Sequence, residues 1–143
     1  MNDLESLYND LIMEHSMNSP HKHEMTECDF SAKGHNPSCG DEITLQVRIE
    51  NDIIEEMAFV GHGCAISQSS TSIMIDTLTG KSVTEAKELV KLFIDMIKRE
   101  SQDEEELERL EEAIAFQNVS NMPARVKCAL LAWNTLNEYI SER

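Results

Sequence analysis

Three cysteines stand in segments suited to chemistry. Cys39 lies in Asn36-Pro37-Ser38-Cys39-Gly40-Asp41, Cys64 in Gly61-His62-Gly63-Cys64-Ala65-Ile66-Ser67, and Cys128 in Pro123-Ala124-Arg125-Val126-Lys127-Cys128. Glycines flank the first two, so the backbone can bend tightly there and come close to a bound group. Cys64 precedes one predicted helix, and Cys128 falls in the first turns of another. Helix N-termini favour a thiolate through their dipole and free N–H groups. Arg125 and Lys127 add positive charge beside Cys128. Thiolates so placed suit zinc, which takes four ligands in a tetrahedron. Asp41, two residues from Cys39, is the first candidate for the fourth place. Three thiolates, one carboxylate and Zn2+ sum to a formal charge of about −2, which Arg125, Lys127 and the helix ends would offset. With no Cys-x-x-Cys pair present, the same spacing also suits three ordinary buried cysteines, which behave as small hydrophobes.

Other residues rank lower. Cys28 has neither a turn glycine nor a helix start beside it and reads as structural. His15, on the first predicted helix, is better read as a packed or exposed histidine than as a ligand. His21 and His23 form His-Lys-His in a loop, where a second metal site is the weaker reading. His35 and His62 stand beside the cysteine segments as alternate ligands. Ser67, Ser69 and Ser70 crowd a helix start, with Ser67 as its cap. A catalytic serine would need a histidine base and an orienting acid, and nothing selects them. No glycine-rich phosphate loop or dinucleotide fingerprint occurs.

The elements that must carry these residues follow from periodicity. Leu4, Leu7, Tyr8, Leu11, Ile12 and His15 form one helical stripe, with Asn2 and Glu5 as a capping box. From Met17 to Gly34 the pattern stops, and the stretch reads as loop with a short strand near Cys28–Ala32. Ile43, Leu45, Val47 and Ile49 alternate with polar residues, which predicts a half-buried strand. Glu50-Asn51-Asp52 supplies a turn, and Ile53–Val60 returns as a second strand, giving a hairpin. After Gly63 the chain reads helical: one helix up to Gly80, one behind a Ser82/Glu85 capping box, one over Glu104–Phe116, and one from about Pro123. Between Asp95 and Glu112 nine acidic and three basic residues give a local net charge of −6. That run reads as a solvated helix face rather than a docking surface.

Composition bounds the rest. The 143 residues fit a single domain, 1–143. A formal net charge of −15 repels phosphates, which argues against nucleic acid and anionic membranes as partners. No apolar run is long enough to span a bilayer, and the acidic start does not read as a signal peptide. The expected location is therefore cytoplasmic. In a reducing compartment cysteines serve as metal ligands or reactive thiols more often than as disulfides.

Taken together, the three cysteine segments resemble the IscU-like iron–sulfur cluster assembly family, also known from NifU N-terminal domains, and within it the SufU branch. The likeness runs from Leu4 to about Ile140 and includes Trp133 after the third segment. Two features select the branch. Lys127 stands where IscU scaffolds carry a histidine before the last cysteine. An extra segment also lies among the 63 residues between Cys64 and Cys128. Glu14-His15-Ser16 followed by Pro20 varies the family's Asp-His-Tyr triplet and proline.

The resemblance implies an α+β fold, a small three-stranded antiparallel sheet packed against several helices. It implies zinc held by Cys39, Asp41, Cys64 and Cys128. It further implies sulfur accepted as a persulfide from a SufS-type cysteine desulfurase, for delivery to downstream Suf assembly proteins. Cys39, in its turn beside Gly40, is the expected persulfide carrier, and Arg125 a supporting cation. The competing function is a scaffold on which a [2Fe–2S] cluster is built, since thiolates hold iron equally well; a structural zinc module that docks partners is the third reading.

Overall fold

Period-two alternation is realised as a three-stranded antiparallel sheet, with β1 at Phe30–Asn36, β2 at Asp41–Glu50 and β3 at Ile53–His62, in the order β1-β2-β3. This computed structural model describes residues 3–37, 40–100 and 103–141, with side chains from Leu7 onward. On β2 the buried positions are Asp41, Ile43, Leu45 and Val47, and the positions between them are half-buried. Asn51 and Asp52 both take positive φ, 53° and 64°. Positive φ at both central residues is the type I′ pattern, whose twist matches that of the flanking strands. A register shift between Arg48 and Ile49 pairs Ile49 with Ile54. It absorbs the irregular start of β3, where Ile53 and Ile54 fall on opposite faces.

β1 starts at Phe30 and continues to Asn36, past the short strand expected near Cys28–Ala32. Gly34 reads as loop in the sequence, yet it is a buried strand residue paired with Ile43. A Cβ at Gly34 would lie 2.3 Å from Thr135 Oγ1, so the missing side chain lets a helix lie directly on the strand.

That helix is α5, Pro123–Ile140, which packs on β1 and β2. The remaining helices are α1 (Asp3–Met17), α2 (Ala65–Leu78), α3 (Val83–Ile97) and the short α4 (Glu104–Leu107). The class is α+β. The Asn2 capping box lies outside the described residues. The other box is present: Ser82 Oγ accepts from Glu85 N at 3.1 Å.

Two helical readings change. α2 is preceded by Cys64, and Ser67 is not its cap but a buried residue of its first turn, donating to Cys64 O at 3.1 Å. The serines fit because α2 is buried on nearly all sides. Ser69, Thr71 and Thr77 each donate to a carbonyl four residues back, so their hydroxyls stay satisfied inside the protein. The helix expected over Glu104–Phe116 is instead one α-turn followed by a 3-10 segment, Glu108–Asn121, broken at Glu111 with φ 52°. Like charges one turn apart, Glu104 with Glu108 and Glu108 with Glu112, disfavour an α-helix there. Leu107, Leu110, Ala113, Phe116 and Val119 are all buried at three-residue spacing, and three residues per turn is the 3-10 period.

The core gathers between the sheet and α2, α3, α5 and the 3-10 segment. Trp133 stacks on Phe93 with centroids 3.9 Å apart, and Phe116 meets Phe93 edge-on. Trp133 Nε1 donates to Ser70 Oγ at 3.0 Å, and Ser70 donates onward to Ala129 O at 2.6 Å. One stitch thus joins α2 to α5. Trp133→Ala should cost about 3–5 kcal/mol of stability, measured by urea unfolding. The protein has one tryptophan, so fluorescence of the wild type reports on this contact alone, and circular dichroism follows the variant.

Candidate metal centre

The alternation of β2 carries a carboxylate into the core. Asp41 is the first inward position of the strand, on the same face as Ile43, Leu45 and Val47, and is fully buried. A charge at that depth is costly unless compensated or hydrogen-bonded. Cys64 N donates to Asp41 Oδ1 at 2.9 Å, and Asn36 Nδ2 lies 3.5 Å from Oδ2. Asn36 is the cross-strand partner of Asp41, and its amide also reaches Cys128 Sγ at 3.8 Å.

Three of the four residues expected to ligate converge here. One carboxylate oxygen of Asp41 and the sulfurs of Cys64 and Cys128 all lie within 4.8 Å of one another. Each comes from a different element: the start of β2, the residue that caps α2, and the second turn of α5. Cys39 lies outside the described residues. Neighbouring ligands of tetrahedral zinc stand roughly 3.3–3.8 Å apart, given metal–oxygen and metal–sulfur bonds of about 2.0–2.3 Å. The donors are of the right kind, and they are shielded: Asp41 and Cys128 are buried and Cys64 is half-buried. This set fits zinc.

Two further residues shape the pocket, the first of them a glycine already expected to let the backbone come close to a bound group. Gly63 is one: a Cβ there would fall 2.5 Å from both Asp41 Oδ1 and Ser67 Oγ, so glycine is what lets the loop close on the carboxylate. Asn36 is the other. It was legible only as part of a turn-rich segment, because its role depends on pairing with Asp41 across the sheet. Gln68, one helical turn beyond Cys64, is also buried, and among the described residues neither of its amide atoms has a hydrogen-bond partner.

The remaining candidates fall elsewhere. His35 and His62 are exposed and pair across the sheet with Glu42, which faces away from Asp41. The hydrogen bond and charge of Lys33, 2.6 Å away, hold the Glu42 carboxyl below its ordinary value, with smaller help from His62 and His35. Cys28 is half-buried beside Gln46, whose amide is 3.7 Å from its sulfur. Arg125 and Lys127 are exposed in the first turns of α5. Among the described residues no helix is long and apolar enough to cross a membrane.

Comparison with known proteins gives a consistent result. The family described as NifU-like N-terminal domain matches residues 7–129. The chain is 39% identical over 140 residues to an iron–sulfur cluster assembly scaffold protein IscU of Streptococcus pyogenes, covering 98% of this chain and 86% of that one. It is 36% identical over 141 residues to the zinc-dependent sulfurtransferase SufU of Bacillus subtilis, covering 98% and 93%. The fold matches the crystal structure of a protein assigned as an iron–sulfur cluster assembly scaffold for the SUF system, from Fervidobacterium islandicum. The TM-score there is 0.86 at 38% identity, over 95% of this chain and 98% of the other.

Replacing Cys64 or Cys128 by Ser should lower both zinc content and melting temperature, because the binding energy of a metal that joins three elements is also folding energy. Cys28→Ser should change neither. Zinc measured by atomic absorption and thermal unfolding followed by circular dichroism check this; full zinc and full stability in both Ser variants would refute the assignment. Gly63→Ala should weaken zinc affinity by about 10–100-fold, the range for groups that orient ligands, read by competition with a chromophoric chelator.

Proposed function

The chain belongs to the NifU-like N-terminal domain family, and from that premise we propose that it accepts sulfur as a persulfide from a SufS-type cysteine desulfurase and passes it on for iron–sulfur cluster assembly. The observation that carries this reading is the meeting of buried Asp41 and Cys128 with half-buried Cys64, with a lysine rather than a histidine before the last cysteine, at Lys127. A donor set of thiolates and a carboxylate suits zinc, and the Bacillus subtilis relative, named as zinc-dependent, has the same activity in its name.

Zinc would be held by Cys39, Asp41, Cys64 and Cys128, and when bound it keeps thiols deprotonated at neutral pH. Asp41 and Cys128 are buried, and Cys64 stands at the start of α2 with its N–H held by Asp41, so these three suit fixed positions. Cys39, in the turn-rich Asn-Pro-Ser-Cys-Gly sequence, suits the moving one. The Cys39 thiolate attacks the outer sulfur of the desulfurase persulfide. The sulfur–sulfur bond to the desulfurase breaks as the bond to Cys39 forms, the desulfurase cysteine leaves as thiolate, and no net oxidation occurs. Arg125, exposed at the start of α5, offsets the anionic charge gathered at the centre.

A second reading, a scaffold carrying a [2Fe–2S] cluster as cargo, is favoured by the name of the Streptococcus pyogenes relative. Lys127 weighs against it, since a charged lysine is a poor ligand. Zinc, iron and sulfide per chain after anaerobic purification separate the two: zinc without sulfide supports transfer, labile iron with sulfide supports the scaffold.

Incubation with desulfurase and cysteine, followed by alkylation and mass spectrometry, should place the persulfide on Cys39. Cys39→Ala should abolish stimulation of the desulfurase. Persulfide found on Cys64 or Cys128 and never on Cys39, or full stimulation by Cys39→Ala, would overturn the assignment.

A further inference from the structure

A second cluster of donor atoms, free of sulfur, joins four segments of the chain. His15 comes from α1, His21 from the loop after it, Asp76 from α2 and Glu112 from the 3-10 segment. His15 Nε2 stands 3.6 Å from Asp76 Oδ2 and 3.7 Å from Glu112 Oε2. These separations are too long for hydrogen bonds. They are close to the spacing of neighbouring ligands on one ion, roughly 3.3 Å for metal–nitrogen and metal–oxygen bonds of about 2.0–2.1 Å.

The histidine is oriented for that role. Its Nδ1 meets Ser72 Oγ at 2.7 Å, and Ser72, fully buried, is tied in turn to Ser19 Oγ at 2.7 Å. With Ser72 accepting from Nδ1–H, Nε2 keeps its lone pair and points between the two carboxylates. A ligating imidazole is characteristically fixed through its other nitrogen in this way. Asp76 is also held from behind, since His21 Nε2 lies 2.5 Å from Oδ1, the oxygen that does not face His15. His21 is anchored by its backbone: its N–H donates to Ser19 Oγ at 3.1 Å and its carbonyl accepts from Phe59 N at 3.0 Å. The carboxylates are partly open to water, with side-chain exposures of 41% for Asp76 and 56% for Glu112, against 12% for His15. An ion therefore has a way in.

We propose that His15, Asp76 and Glu112 form a second divalent-metal site, which takes a first-row ion such as Zn2+ or Fe2+ through one imidazole nitrogen and two carboxylates. Mixed nitrogen and oxygen donors suit such ions. His21 positions Asp76, and a water completes the shell. The ion ties α1 and the acidic 3-10 segment to α2. The site stands independently of the thiolate centre and of the function proposed for it, and its spectrum differs because no sulfur takes part.

The test uses the full chain with one equivalent of zinc already bound, titrated with Co2+ and followed by calorimetry and visible absorption. One further equivalent should bind, with d–d bands and no sulfur-to-cobalt charge transfer. Glu112→Gln and Asp76→Asn should each weaken it at least tenfold, and His21→Ala by about 10–100-fold. Glu112 is exposed, so its variant keeps the fold, checked by circular dichroism. His23→Ala should bind as the wild type does, because the His23 ring hydrogen-bonds the Glu24 carbonyl and no member of this cluster among the described residues. Absence of a further equivalent in the wild type would leave the cluster as a set of ion pairs and overturn the proposal. So would unchanged affinity in both carboxylate variants, or an equal loss in His23→Ala.

Discussion

A carboxylate occupies a place where a strand of this pattern calls for an apolar side chain. Asp41 continues the inward row of Ile43, Leu45 and Val47 and has no exposed surface. Burying that charge requires compensation, which two hydrogen-bond donors supply, and three elements close around the carboxylate. The backbone N–H of Cys64 arrives because Gly63 leaves room for the loop. Asn36 arrives because β1 is registered directly opposite. Cys128 arrives because α5 lies tight against β1 where Gly34 has no side chain. Each approach uses a small or polar residue at a place where a bulkier one would push an element away.

The helices that bring in the two sulfurs are fastened to one another independently of the centre. Ser70 on α2 receives Trp133 Nε1 and donates to Ala129 O, both on α5. Removing such a hydroxyl would orphan an indole N–H inside the core, and buried donors without partners are expensive. The separation between Cys64 and Cys128 is thus set by packing as well as by anything the sulfurs might bind. That arrangement suits a preorganised centre, in which the ligands wait close to their final positions.

Much of this was legible in the sequence. The alternation over Ile43–Ile49, the Asn51-Asp52 turn, the Ser82/Glu85 capping box and the start of α5 at Pro123 are local signals, and each element formed where its signal stood. The cysteine segments pointed to the three elements that carry Asp41, Cys64 and Cys128. What escaped was non-local. Gly34 looked like a loop residue because the helix resting on it lies a hundred positions away in the chain. Ser67 looked like a cap because nothing local says that α2 is buried on almost all sides and needs small hydroxyls there. Asn36 acquires its role only across strand pairing, and Gly63, whose freedom was legible, reveals Asp41 as what it closes on only in the fold. The acidic stretch was misread for another reason. Its apolar residues recur at three rather than at alternating three and four, a difference in period that a search for α-helical stripes passes over.

That period has an evolutionary corollary. After the break at Glu111, Ala113, Phe116 and Val119 keep one face inward by stepping three residues per turn. Gaining or losing three residues there returns every following side chain to its former phase, whereas a change of one or two rotates the rest of the segment out of register before Pro123 can begin α5. Length variation among relatives in the run between that break and Pro123 should therefore come in triplets, as in a reading frame.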